Sequence, residues 1–289
     1  FNEDWESFYF SEVSDSLNDC KLDFVGSTDF LASIDDINLN DSQKQIVSEA
    51  VGTDFKQDVR DIYINQSFRK DIWIKGGVKL GPDELLNELM ELYVALRAPH
   101  LKDDFKIKGN LGEADLQLDI YEPIFSYLRD CKVAKIGEIV FSLERTINKL
   151  QIIEAINILI AKGDFILVNE PEMSKDLAVT GHKINDFIFN KISQGLTCSF
   201  MYSPVTGGGF QLDVLQQLFI GILNMEPTLT PKEIAKKCIP MLKKLGRNVL
   251  KDGKPVSDMK AAELEIENKV IVFLRDELDH LKFMGIAKA

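Results

Sequence analysis

The sequence has little of what metal and nucleophile chemistry usually needs. Its four cysteines, Cys20, Cys131, Cys198 and Cys238, stand far apart with no C-x-x-C pair, which suits neither a zinc site nor a disulfide framework in a chain of this length. Reduced thiols and a cytoplasmic location are the expectation. The three histidines, His100, His182 and His280, lie outside metal-ligand spacing of one another. No run approaches eighteen uncharged apolar residues, and the start has no basic segment leading into an apolar one, so neither a membrane span nor a signal peptide is expected. Nucleotide-cradling turns are lacking too. IKGGVKLG (Ile74 to Gly81) misses the G-x-G-x-x-G order and runs into Pro82, and TGGGF (Thr206 to Phe210) has no Lys-Ser/Thr behind it, so both read as turns or hairpin tips. Carboxylates are abundant, but abundance alone assigns no acid–base role.

Apolar residues are plentiful. At 289 residues and 45% hydrophobic, the chain can bury two or three ordinary cores, and two or three domains are expected. The net charge of −12 is uneven: residues 1–40 hold ten acidic side chains against one lysine, and residues 232–254 hold eight basic against two acidic. Two solvated faces are the plain reading, opposite in sign and able to attract each other. An acidic chain repels a phosphate backbone over most of its surface, which argues against nucleic acid as a principal partner.

Patterning sorts most of the chain into helix. Leu22 to Asp29 (LDFVGSTD) and Asp71 to Gly76 (DIWIKG) are short apolar runs that read as strands, with helices between them around 42–50 and 54–64. Gly81-Pro82 followed by Asp83 and Glu84 predicts a helix over 82–97 with Leu85, Leu89, Leu92 and Leu96 on one face, closed by Pro99. The glycine-punctuated KIKGNLGEAD then reads as a domain boundary. Residues 121–170 read helix, helix, helix, strand, with the third helix ending at Gly163 before FILV, the order of a winged-helix unit. A DNA-reading third helix brings Arg or Lys to bases and phosphates. This one offers Asn148, Lys149, Gln151, Glu154 and Asn157, in a region with six basic and seven acidic groups, and so reads as a protein-interaction or structural module. Residues 171–186 read as a polar connection and SFMYSPVTGGGFQLD as a hairpin or loop. A helix over 213–224 follows, then one opened by the capping box Thr230-Pro231-Lys232-Glu233, kinked at Pro240 and ended at Gly246. The last helix is predicted to bury Leu264, Ile271, Leu274, Leu278 and Leu281 as one stripe.

Read together, NEDWESFYFSEV at the start, LDFVGSTD, and VRDIYINQSFRKDIWIKG closely resemble the regulatory domain that follows the catalytic domain in a group of bacterial class I S-adenosylmethionine-dependent methyltransferases, protein-lysine methyltransferases among them. The resemblance covers roughly residues 1–80 in separated blocks that keep their order. The winged-helix-like unit and the SPVTGGG stretch are similar to the C-terminal part of those proteins, though less distinctively. Ser7 departs from the pattern, which would place proline there.

The resemblance implies a mainly α (α+β) protein: a methyltransferase regulatory domain over 1–108, a winged-helix-like domain over 109–180 and a C-terminal helical domain over 181–289. It implies a non-catalytic regulatory and substrate-recognition region whose methyltransferase acts on protein, with S-adenosylmethionine held by an upstream catalytic domain and no cofactor in this chain, because no glycine turn paired with a ribose-binding carboxylate is found. Expected partners are that upstream domain and a protein substrate; a homodimer stays open, and nucleic acid and membrane are not expected. Trp5, Phe8, Tyr9 and Phe10 are the candidate interface with the catalytic domain: at least two of these rings are expected to pack on the chain's own first domain, the others standing exposed. A winged-helix DNA-associated regulator is the alternative of a different class, and a free-standing enzyme of unrecognised type a third.

Overall fold

The structure, a computed structural model, describes residues 6–98, 105–251, 253–256 and 258–288. Helix dominates. The order begins α1 (Phe10–Asn18), β1 (Leu22–Ser27), a 3-10 turn at Leu31–Ser33, α2 (Asp35–Asn38), α3 (Asp41–Glu49), α4 (Thr53–Ile64), β2 (Asp71–Lys75), α5 (Pro82–Glu91) and β3 (Tyr93–Leu96). It continues with β4 (Lys106–Gly109), β5 (Gly112–Asp115), α6 (Leu118–Cys131), β6 (Val133–Lys135), α7 (Ile136–Leu143), α8 (Lys149–Lys162) and β7 (Phe165–Val168). The last part is α9 (Pro171–Ser193), β8 (Phe200–Ser203), β9 (Gly208–Gln211), α10 (Val214–Met225), α11 (Pro231–Lys244), β10 (Leu250–Lys251), β11 (Lys254–Pro255), α12 (Met259–Asp276) and α13 (Leu278–Phe283). The mainly α, mixed architecture is the one the sequence implies.

Four local expectations need correction. The leucine repeat at 82–97 is helical only to Glu91, because Tyr93-Val94-Ala95-Leu96 is the middle strand of the sheet β6–β3–β7, where Val94 and Ala95 are fully buried. An aromatic and β-branched run with partners on both sides outweighs helical spacing. KIKGNLGEAD is a hairpin, β4 against β5, with Ile107 buried. The polar connection over 171–186 lies within the 23-residue helix α9. The final stripe is shifted: α12 buries Ala262, Ile266, Val270 and Phe273 while Leu264 and Ile271 face solvent, and the helix breaks at Glu277 before α13.

The described residues form two compact units, one of 6–91, 105–127 and 136–165, the other of 92–98, 128–135 and 166–288. In the first unit β1 and β2 pair antiparallel with Phe24 opposite Trp73. Phe10 from α1 packs on both rings, at centroid distances of 4.8 and 5.6 Å. Asn38, buried at the end of α2, donates to the carbonyls of Leu31 and Ile34 at 2.8 Å and accepts from the Asn110 N–H at 3.0 Å. It thereby ties the β4–β5 turn to the α2 region. Ile124, Ile139, Ile152, Ile156 and Leu159, each fully buried, are the core supplied by α6, α7 and α8. Gly163, at φ +85°, ends α8 in the left-handed conformation.

The second unit is built around α10, where Leu218, Phe219, Ile220 and Ile222 are all buried, as expected of a central helix that is apolar nearly all round. Gly221 admits the Phe189 ring of α9 so closely that an added Cβ would lie 1.9 Å from it. The Asn185 side chain pairs with both backbone groups of Tyr202 in β8, accepting at 2.7 Å and donating at 2.8 Å. The Ser203 hydroxyl donates to the Met284 carbonyl at 2.7 Å inside the core. The Thr230–Glu233 capping box opens α11, which runs on through Pro240.

Candidate interaction surface

The sequence-selected aromatics fall in three situations. Trp5 lies outside the described residues. Phe10 is 4% exposed, inside the first unit's aromatic core. Phe8 and Tyr9 are 64% and 63% exposed. The start of α1 sets this division. The Glu12 carboxylate accepts the Tyr9 N–H at 2.7 Å at the positive end of the helix, and Asp58 of α4 accepts the Ser11 N–H at 3.1 Å. With the helix held there, Phe10 turns inward and its two predecessors turn out.

Phe8 and Tyr9 rim an open groove of about 920 Å³ that Ile62, Phe68 and Trp73 help to line. Ile62 and Phe68 are 69% and 78% exposed. Sequence reasoning missed both: Ile62 sits in the last turn of α4 and Phe68 in a loop, and only the fold brings them beside the N-terminal rings. The base of the groove is rigid. Arg69 donates from Nε to Asp71 at 2.7 Å and from one terminal nitrogen to both Asp61 oxygens at 2.8 Å, shares Gln57 between its two terminal nitrogens, and lies 4.4 Å over the Phe10 ring centroid. Burial works against the Arg69 charge, yet the two carboxylates carry its pKa above the ordinary value; burial likewise leaves the Asp61 carboxyl above the usual range, against the pull of Arg69. With its fork spent on neighbours, Arg69 shapes the groove and does not await an anion. Among its mixed polar and apolar lining the exposed apolar side chains are Phe8, Tyr9, Ile62 and Phe68, each of which contributes up to about 1.5–3 kcal/mol when covered.

The second unit has a smaller cavity of about 590 Å³, with Leu212, Val272 and Leu281 as apolar lining and Gln216, Glu277 and His280 as polar groups. The polar groups serve the protein itself. Gln216 donates to Glu277 at 2.6 Å, and a ring nitrogen of His280 meets the Arg97 carbonyl at 2.9 Å. Among the described residues no cluster of three metal-ligating side chains occurs, and His100 lies outside them.

The glycine turns do not form a cofactor cradle. Gly207 to Gly209 belong to the β8–β9 hairpin, where Asn169 fills the space against Gly207 and Phe200 that against Gly209. No sheet among the described residues exceeds three strands, whereas a Rossmann-like cofactor site needs a strand–turn–helix at the edge of an open parallel sheet. Gly207 to Gly209, at the tip of a two-stranded antiparallel hairpin, supply no such strand–turn–helix. Nor is any helix of the described residues long and apolar enough to cross a membrane.

Three similarities stand beside this geometry. An uncharacterized protein of Synechocystis sp. is 30% identical over 292 residues, and the alignment covers 99% of this chain and 56% of that protein. PKMT2 from Rickettsia typhi, solved in complex with AdoHcy, superposes with a TM-score of 0.56 at 13% identity, over 99% of this chain and 59% of that one. The chain therefore spans little more than half the length of either, and with PKMT2 it shares a fold. Residues 1–75, which include Phe8, Tyr9, Ile62, Phe68 and the whole Arg69 cluster, match the family described as "Predicted methyltransferase regulatory domain".

Proposed function

We propose that this chain is the regulatory and substrate-recognition portion of an S-adenosylmethionine-dependent methyltransferase that acts on protein in the cytoplasm, and that Phe8, Tyr9, Ile62 and Phe68 dock its catalytic domain. One observation carries the reading: an open groove rimmed by the exposed side chains of Phe8, Tyr9, Ile62 and Phe68 lies within the stretch that matches the regulatory-domain family. Covering four such side chains yields about 6–12 kcal/mol before ordering losses, enough to hold a domain already tethered in the same polypeptide. The chain contributes no reacting group. It restrains the catalytic domain and supplies binding energy to remote parts of the substrate, both of which alter turnover. The cofactor belongs to the catalytic domain. Residues 109–180, in which α6, β6, α7, α8 and β7 run helix–strand–helix–helix–strand, serve as a winged-helix-like module facing protein.

The test is Phe8→Ala with Phe68→Ala in the full-length gene product, assayed for methylation of a protein acceptor and for cofactor binding. The expected result is a loss in kcat/KM of about tenfold or more with the cofactor Kd unchanged. The isolated chain is expected to show no saturable cofactor binding by calorimetry. Unaltered turnover in the double variant, or micromolar S-adenosylmethionine binding by the isolated chain, defeats the reading.

A further inference from the structure

The second unit carries a strongly cationic surface that the proposed regulatory role does not use. On α11, the residues Lys232, Lys236 and Lys243 share one exposed stripe at helical spacing, with Lys244 beside it. The opposite face, with Ile234, Ala235, Cys238 and Leu242, is buried in the core. The hairpin β10–β11 follows directly, anchored to the same core by Val249 and Val256, and adds exposed Lys251 and Lys254. Among the described residues none of these six lysines is in an ion pair; the neighbouring Lys237 is paired with Glu226.

Fold stability accounts for only part of this. Lys243 and Lys244 lie in the last turn of α11, where the helix dipole favours a cation. Lys232 lies in the first turn, where it opposes one, and Lys236 lies beyond the reach of either end. Apart from the Glu233 carboxylate within electrostatic reach of Lys236, these lysines face like charges and repel one another.

We infer that the lysine face of α11 and the β10–β11 hairpin form a docking surface for an acidic polypeptide segment. Charge selects an anion, and dimensions select its kind. The 14 residues of α11 rise about 21 Å, the span of about seven extended residues, so a short acidic segment matches the stripe and ends with it. A nucleic acid duplex presents a charge about every 1.7 Å and continues past the patch, into the field of an otherwise acidic protein. Beside the six, Arg247 and Asn248, exposed in the turn between α11 and β10, are the residues able to read a base edge, and both lie off the α11 stripe. A bilayer needs an apolar face to insert, and that of α11 is committed to the core. Leu250, 47% exposed between the lysines of α11 and Lys251, gives a polypeptide an apolar foothold that phosphates cannot use.

The inference is independent of the regulatory reading, and its test has no catalytic readout. A fluorescein-labelled twelve-residue peptide of Glu and Asp with one Leu is titrated into the full chain and followed by anisotropy. The expected Kd at 50 mM salt is on the order of 10 μM, weakening severalfold by 200 mM, and a peptide with Gln for every Glu and Asn for every Asp should not bind. Lys236→Glu with Lys243→Glu should weaken binding at least tenfold while the chain stays folded, with a small drop in melting temperature from the acidic side chain at the helix C-terminus. Lys251→Glu with Lys254→Glu, on the exposed hairpin, serves as a second variant should the helix pair fail to fold. Equal binding by the folded variants overturns the inference, as does tighter binding of a twenty-base-pair duplex or of phosphatidylglycerol vesicles than of the acidic peptide.

Discussion

Arg69 shows how much one side chain does in the first unit. Its fork satisfies Asp61 and Asp71, whose side chains are mostly buried, and its plane covers Phe10. Arg69→Ala removes the cation and leaves two carboxylates unpaired, so the unit should lose about 3–5 kcal/mol, read as a shift in the denaturation midpoint. Arg69→Lys, which keeps charge but not the fork, should lose distinctly less; equal losses would show that the hydrogen-bond geometry is immaterial. In the second unit His280 gives a pH dependence. Burial first, and then Lys132, hold its pKa below the usual 6.5, against the hydrogen bond to the Arg97 carbonyl. The unfolded chain therefore takes up this proton at a higher pH than the folded one. The contribution to stability is complete above about pH 6.5 and is lost as pH falls from there through the folded pKa. Melting temperature should drop between pH 7.5 and 5.5, and His280→Gln should flatten that slope; an unchanged slope would remove His280 from the account. Neither role could be read in the sequence. Arg69 stands in QSFRKD like any surface arginine, and the carbonyl that meets His280 lies 183 positions away.

Elements were legible where a local signal agreed with the final packing. The β1–β2 pair, the β8–β9 hairpin and the boundaries of α3, α4, α8, α10 and α11 follow from apolar runs, glycine stops and caps that act within a few residues. Elements whose reason lies elsewhere in the chain were missed. Helix α9 is the clearest case, since two of its four buried positions are Gly181 and Asn185, residues that read as loop when their partner is unknown. The partner is β8. A Cβ on Gly181 would sit 2.9 Å from the Tyr202 ring, and the Asn185 amide replaces a neighbouring strand for the Tyr202 backbone. Asn185→Ala strips that edge of both hydrogen bonds inside the core, so the second unit should lose about 2 kcal/mol. Asn185→Asp, which retains an acceptor but cannot donate, should lose at least as much because it also buries a charge. Denaturant titration of the two variants checks this, and wild-type stability in either would mean that β8 needs no support from α9. Strand β3 illustrates the same limit in reverse: Leu96 continues the helical spacing of Leu85, Leu89 and Leu92, but the flanking strands β6 and β7 begin only at Val133 and Phe165.

At the scale of the whole molecule the chain is interleaved. It leaves the first unit after residue 91, returns, leaves again after 127, returns at 136 and leaves for good after 165, so a cut at any one point between these positions divides both units. This is why apolar content could announce two or three cores without locating their borders, and why the groove rim could be named only in part, at Phe8 and Tyr9. The consequence is a rule for fragments. A piece ending at residue 108 keeps β1, β2 and the Arg69 cluster. It lacks Asn110, which donates to Asn38 and to the Ile64 carbonyl, and it lacks β5, the partner of β4. It also carries β3 without β6 or β7, so the groups of Val94 and Ala95 that are buried in the sheet become an open apolar edge, the kind that recruits other chains. A piece ending at residue 168 keeps the first unit whole and all three strands of that sheet. Residues 1–168 should therefore unfold in a single cooperative transition by circular dichroism and remain monodisperse, whereas residues 1–108 should melt without cooperativity or aggregate. A sharp, reversible transition in the shorter fragment would show that the stretch matching the regulatory-domain family folds without support from α6 to α8, and would move the boundary of the first unit to the front of β4.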